Sequence, residues 1–239
     1  MLTTKSIEYY DSDTLLEGYY ALPNNLQSKT PAVLVVHDWS GLNDFARQKA
    51  EALAQLGYIG FAVDMFGKGI IGNTKEEKSA LIQPFVQDRN KLYQRLSAGL
   101  TALKTLTQVN QQKIAAIGFC FGGLCALDLA RHNSVQGVIS FHGLLNPPNA
   151  NSKKITTKVL ALHGHNDKMV PPDQVLHFQQ EMTQAEADWQ MHIYGNTMHA
   201  FMNPAANDAA FGTVYNKTSA ERAWIAMKDF FVELFDNGG

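Results

Sequence analysis

The segment Gly118-Phe-Cys120-Phe-Gly122-Gly123 sets a cysteine between glycines two residues away on either side, where an apolar run passes into a helical pattern. A nucleophile on such a tight turn sits in strained backbone geometry. The glycines let neighbouring backbone pass closely, and the positive end of the following helix favours a thiolate. Asp167 follows a later apolar run, in Leu162-His-Gly-His-Asn-Asp167. His199 follows the last such run, in Tyr194-Gly-Asn-Thr-Met-His199-Ala-Phe201. Together these residues are equipped for acyl transfer. His199 would take the thiol proton and later activate water, while Asp167 would hold the imidazole tautomer and stabilise the imidazolium. A buried cysteine in a glycine-rich turn is the plain alternative. Three suitable residue types at three strand ends weigh against it.

The chain order nucleophile, acid, base is that of α/β-hydrolases. In that arrangement the loop after an earlier strand supplies half of an oxyanion hole, and here that loop is His37-Asp-Trp-Ser-Gly41. The backbone N–H groups of Phe121 and Trp39 are therefore expected to face the developing oxyanion. The Trp39 ring can pack in the ordinary way at the same time. His163 and His165 flank Gly164, and their spacing puts them on one side of a strand end. No ligand set accompanies them, so no metal is expected. Gly118-x-x-x-Gly122-Gly123 does not fit a dinucleotide fingerprint, no phosphate loop is present, and no cofactor is implied. His142 follows another strand and reads as a packing residue bordering the site. Cys125 reads as buried and structural, with resolution of an oxidised Cys120 as a minor alternative.

Short apolar runs alternate with segments of helical period, the signature of α/β layering. Strands are expected at Ile7–Tyr10, Leu15–Ala21, Ala32–His37, Tyr58–Asp64, Lys113–Phe119, Gly137–Phe141, Lys158–Gly164 and Trp189–Tyr194. The first two read as a hairpin across Asp11-Ser12-Asp13. Helices are expected at Phe45–Leu56 (stopped by Gly57), Gly122–His132, Gln174–Ala185 and from Thr218 to near Phe235. A long helical stretch from a capping box at Thr74 toward Leu106 is expected to break or kink near residue 83, ahead of Pro84. Lys68–Asn73 and Asn146–Lys154 read as loop insertions. Trp224, Phe230 and Phe231 fall at helical spacing and read as core. The sum is one domain over residues 1–239, with a mostly parallel eight-stranded sheet flanked by helices. Ligands in such sheets bind beyond the carboxyl ends of the strands.

Gly118-Phe-Cys-Phe-Gly-Gly123, His37-Asp-Trp-Ser-Gly41, Asp64-Met-Phe-Gly67, His163-Gly-His-Asn-Asp167 and His199-Ala-Phe-Met-Asn-Pro204 together resemble the dienelactone hydrolase family, named for carboxymethylenebutenolide hydrolysis. The likeness runs from about Ile7 to Phe235. It implies an α/β-hydrolase fold with little or no lid and a Cys120-His199-Asp167 triad. It also implies cleavage of a small ester or lactone through a thioester acyl-enzyme. The resemblance further gives the position of Asp38 to a Glu that holds the resting thiol. The shorter Asp38 could reach Cys120, or could only cap the next turn. Dienelactone-active relatives carry an Arg four residues past the catalytic His, where this chain has Asn203. A second family Arg lies upstream, in the neighbourhood of Lys78 and Arg89. The chain therefore lacks a confirmed guanidinium fork for a substrate carboxylate, and a neutral ester, lactone or thioester is at least as well suited.

The 239 residues are 45% hydrophobic and 18% charged, enough to bury a full-sized core. Twenty basic against 22 acidic side chains leave a net charge of −2, so no basic surplus exists for nucleic acid. Two cysteines build no disulfide framework, no signal-like apolar segment opens the chain, and no run is long enough to span a membrane. A cytoplasmic enzyme, monomer or homodimer, is the expectation. The competing reading is a non-catalytic or redox-sensing thiol module on the same fold.

Overall fold

The computed structural model describes residues 2–148 and 153–236, so residues 149–152 of the expected Asn146–Lys154 insertion lie outside the described residues. The described strands form an eight-stranded sheet in the order β1-β2-β4-β3-β5-β6-β7-β8. They are β1 (Thr3–Asp11), β2 (Thr14–Leu22), β3 (Thr30–Val36), β4 (Ile59–Val63), β5 (Val109–Phe119), β6 (Gly137–Phe141), β7 (Lys158–Gly164) and β8 (Trp189–Tyr194). A two-residue pair, β9 (Asn207–Asp208) and β10 (Thr213–Val214), makes a separate antiparallel ribbon. The helices are α1 (Asp44–Gln55), α2 (Lys75–Gln87), α3 (Arg89–Lys104), α4 (Phe121–Arg131), α5 (Pro172–Gln184) and α6 (Lys217–Asp236).

Two compact units divide the chain, Met1–Ile117 and Gly118–Gly239. In the first, β1 and β2 form the expected hairpin, β2 pairs antiparallel with β4, and β3 pairs parallel with β4. Residues 32–36 of β3 are all fully buried, which matches an apolar run with no alternation: a strand covered on both faces shows no polar side. In the second, β6, β7 and β8 pair in parallel, and β6 is buried along its whole length.

The helical stretch after Thr74 departs from the expectation. The capping box forms at Thr74 and Glu77, but the break falls at Asp88 rather than near residue 83. Pro84 sits inside α2. A proline deletes its own N–H and crowds the carbonyl four residues back, yet it leaves its own carbonyl able to accept, and Asp88 N–H donates to it. Asp88 then starts the next helix, its carboxylate accepting from the N–H groups of Asn90 and Lys91 at 3.0 Å each. The side chain able to cap a new helix decides where the old one stops.

Candidate active site

Cys120 lies between β5 and α4 with φ 55° and ψ −116°, a left-handed backbone that a non-glycine residue holds only under constraint. Three features impose it. The Cys120 N–H donates to Phe141 O at 3.1 Å, at the end of β6. The Cys120 carbonyl accepts from Gly123 N–H at 2.9 Å, closing the first turn of α4. A Cβ on Gly118 would stand 1.8 Å from Gly122 O, and one on Gly123 would stand 2.6 Å from Gly143 Cα, so only glycine lets these backbones approach. Cys120 is left partly exposed, whereas Cys125, further along α4, is fully buried. Phe121 is the first residue of α4, and amides at that position look out of the helix N-terminus.

Asp167 and His199 come from the loops after β7 and β8. His199 Nδ1 and Asp167 Oδ2 are 2.7 Å apart and buried. The other oxygen of Asp167 accepts from Met169 N–H at 2.8 Å, which fixes the carboxylate plane. His199 Nε2 is buried with no partner at full hydrogen-bond geometry, but Cys120 is near enough to act on the ring by charge and as a looser partner. Burial by itself would lower the His199 pKa. The charge of Cys120, the hydrogen bond to Asp167 and the loose Cys120 contact outweigh it, and the pKa rises to about 10.

The loop carrying His199 is held on several sides. Val214 N–H of β10 donates to His199 O at 3.1 Å, and Asn216 N–H donates to Phe201 O. Thr197 meets Ser219 of α6 at 2.7 Å between hydroxyls, and its carbonyl accepts from Asn166 N–H in the Asp167 loop. Asn216 caps α6 through Ser219 N–H, two residues ahead of the start expected at Thr218. Sequence reading misses the β9–β10 ribbon because two residues per strand carry no periodicity. The signal available for the anchor was an Asn three positions before a Ser at a helix start.

The remaining expected residues have definite places. In the first unit, Asp38 caps the turn after β3, its Oδ1 accepting from Ser40 N–H at 2.8 Å. His37 orders the same loop: its Nδ1 lies 2.6 Å from Asp38 O and its Nε2 accepts from Met65 N–H. Lys78 Nζ lies 5.7 Å from the centre of the Trp39 ring, while Arg89 opens α3. In the second unit, Asn203 Oδ1 accepts from Ala205 N–H at 3.0 Å and so closes a turn of its own loop. His163 is buried and its pKa is lowered, chiefly by burial, whereas His165 beyond the end of β7 is exposed. The strand that would align the two rings stops at Gly164.

A mostly parallel sheet with a strained cysteine elbow, a buried His–Asp pair and this strand order defines an α/β-hydrolase. The dienelactone hydrolase family model matches residues 16–235, and the chain belongs to that family. It is accordingly a hydrolase of lactone or ester bonds. A crystal structure of a dienelactone hydrolase-like promiscuous phosphotriesterase from metagenomic libraries shares 34% identity over 98% of each chain, with a TM-score of 0.93. The structure called m3DLH shares 33% over 98% of this chain and 99% of its own, with a TM-score of 0.94. Among curated relatives, a protein of Aquifex aeolicus named "Putative carboxymethylenebutenolidase" is 24% identical over 94% of this chain and 96% of its own.

Proposed function

We propose that the chain hydrolyses a neutral carboxylic ester or lactone through a thioester on Cys120. The observation that carries this reading is the buried His199–Asp167 pair at 2.7 Å with Cys120 acting on the same imidazole. In the proposed cycle the Cys120 proton already rests on His199 Nε2, and the thiolate adds to the carbonyl carbon. The oxyanion is met by the Phe121 N–H at the start of α4. The C–O bond then breaks, and the departing alkoxide takes the proton from His199. Water adds to the thioester as His199 removes its proton. The C–S bond breaks, acid is released, and the Cys120 thiolate beside protonated His199 is restored.

Trp39 as the second oxyanion donor enters this proposal from the α/β-hydrolase arrangement, and Asp38 as a partner of the thiol from the family resemblance. The neutral substrate rests on Asn203: its side chain is spent on its own turn, where an Arg would offer a fork to a carboxylate. The relative named a promiscuous phosphotriesterase supplies a second test substrate, since attack on phosphorus would use the same thiolate.

Steady-state hydrolysis of a short p-nitrophenyl ester, the two dienelactone isomers and a p-nitrophenyl phosphotriester tests the proposal. Cys120→Ala should lower ester turnover by about a thousandfold or more with the unfolding midpoint nearly unchanged. Unchanged turnover in Cys120→Ala overturns the nucleophile. A single stoichiometric burst of p-nitrophenol with no steady state overturns the hydrolase cycle in favour of the thiol-module alternative. Dienelactone turnover matching that of the neutral ester overturns the neutral-substrate reading.

A further inference from the structure

His142 directly follows β6, and its backbone lies at φ 38°, a left-handed conformation that disfavours any residue with a Cβ. The residue before it, Phe141, holds the Cys120 N–H. His142 N–H itself donates to Leu162 O of β7 at 2.8 Å, two strands' ends being tied together at this point. The strained backbone turns the imidazole inward, where it is 2% exposed. Its ring meets the His199 ring edge-on, with centroids 5.1 Å apart and planes at 64°. On another side it meets Phe201, two residues past His199, at 5.2 Å and 75°. Phe119, adjacent to Cys120, lies 6.1 Å away. One ring therefore touches the base and aromatic neighbours of both the base and the nucleophile. Steric cost at a residue held in a sparsely populated conformation is retained where the surrounding structure demands it.

We infer that His142 is a positioning residue: its ring braces the His199 imidazole so that Nδ1 stays on Asp167 while Nε2 stays turned to Cys120. The hydrogen bond to Asp167 fixes one nitrogen but leaves the imidazole free to swing about that contact. A flat ring against it removes that freedom, and edge-to-face packing does so without competing for either nitrogen. The groups that face His199 are Cys120 from the elbow, Asp167 from the loop after β7, His163 from β7 and His142 from the end of β6. Of these, His142 approaches through ring packing together with its neighbour Phe201. The bracing reading rests on the proposed role of His199, so its test includes a measurement that does not require turnover.

The variants are His142→Asn, which tolerates the left-handed backbone and lacks the ring, and His142→Phe, which keeps a flat ring and lacks the nitrogens. Each is read by the rate of Cys120 alkylation by iodoacetamide against pH, by kcat and KM for the p-nitrophenyl ester, and by the unfolding midpoint. His142→Asn should shift the midpoint of the alkylation profile upward and lower kcat by about tenfold or more, with KM within about twofold. His142→Phe should recover most of both. An alkylation profile and kcat unchanged in His142→Asn overturns the inference, as does a His142→Phe variant as impaired as His142→Asn. Should His142→Asn fail to fold, His142→Phe alone decides: a folded His142→Phe with a wild-type alkylation profile supports bracing by the ring, and a shifted profile overturns it. Loss of the hydrolase proposal would appear separately, as ester turnover that survives Cys120→Ala.

Discussion

At His199, burial works against the imidazolium while Cys120 and Asp167 work for it, and the second influence prevails. The side chain therefore binds its proton more tightly in the folded chain than in the unfolded one. Its contribution to stability is complete below the ordinary value of 6.5 and is lost as pH rises toward about 10. The difference in unfolding free energy between the wild type and His199→Gln should accordingly shrink between about pH 6 and about pH 10. Urea melts across that range measure it, and a difference that stays constant would mean that the folded chain does not hold the proton. Cys120, Asp167 and His199 were each legible as residue types at strand ends. The ionic state of His199 was not, because it depends on burial and on two partners 79 and 32 positions away in the chain.

The elbow is the element on which the site depends, and its local rule is strict. A strand must end, a residue must take a left-handed backbone, and a helix must begin, all within four positions of Gly118. Gly118→Ala would place a methyl group 1.8 Å from Gly122 O, so either β5 or the first turn of α4 must move. We expect a loss of about 2 kcal/mol or more of stability, together with lowered ester turnover per folded molecule. Urea melts and ester kinetics on the same preparation check both, and a stable, fully active Gly118→Ala would mean that the two backbones are not in close contact. Elsewhere the elements followed their local patterns to within a few residues, with β6, β7 and β8 bounded as expected. The exceptions were the β9–β10 ribbon, where no strands were expected, and the stretch around Pro84. There, proline chemistry alone pointed to a break or kink near residue 83, but α2 runs on through Pro84 and ends where Asp88 caps α3.

Two compact units meet in the chain at Ile117 and Gly118, within β5, just before the elbow. The composition and the family resemblance read as one domain, and that reading makes a distinct thermodynamic prediction. Trp39 is the tryptophan of the first unit, and Trp189 and Trp224 belong to the second. Trp39→Phe and the double variant Trp189→Phe/Trp224→Phe should report the same urea midpoint and the same slope, because one cooperative domain unfolds once. Separated midpoints would mean that the units unfold independently. Within the second unit, stability also draws on a buried ion cluster. Arg131 binds both oxygens of Glu181 at 2.8 Å, Asp128 at 3.0 Å and Leu145 O at 3.2 Å. Nearly complete satisfaction of the guanidinium offsets the cost of taking these charges out of water. Among the described residues, no helix is long and apolar enough to cross a membrane.

By itself the sequence determined the family, the chain order of Cys120, Asp167 and His199, and the alternation of strands and helices. Each of these is written in residue type or in periods of two and 3.6 positions, and so survives without knowledge of distant partners. Tertiary structure decided the rest. It brought His199 Nδ1 to 2.7 Å from Asp167, set the β9–β10 ribbon behind His199, spent Asn203 on its own turn, and bent His142 until its ring met that of His199. Those outcomes follow from long-range closure. The position of a ring or a loop is fixed by what packs against it, and the packing partners come from strands that neighbour one another in the sheet but lie far apart in the chain.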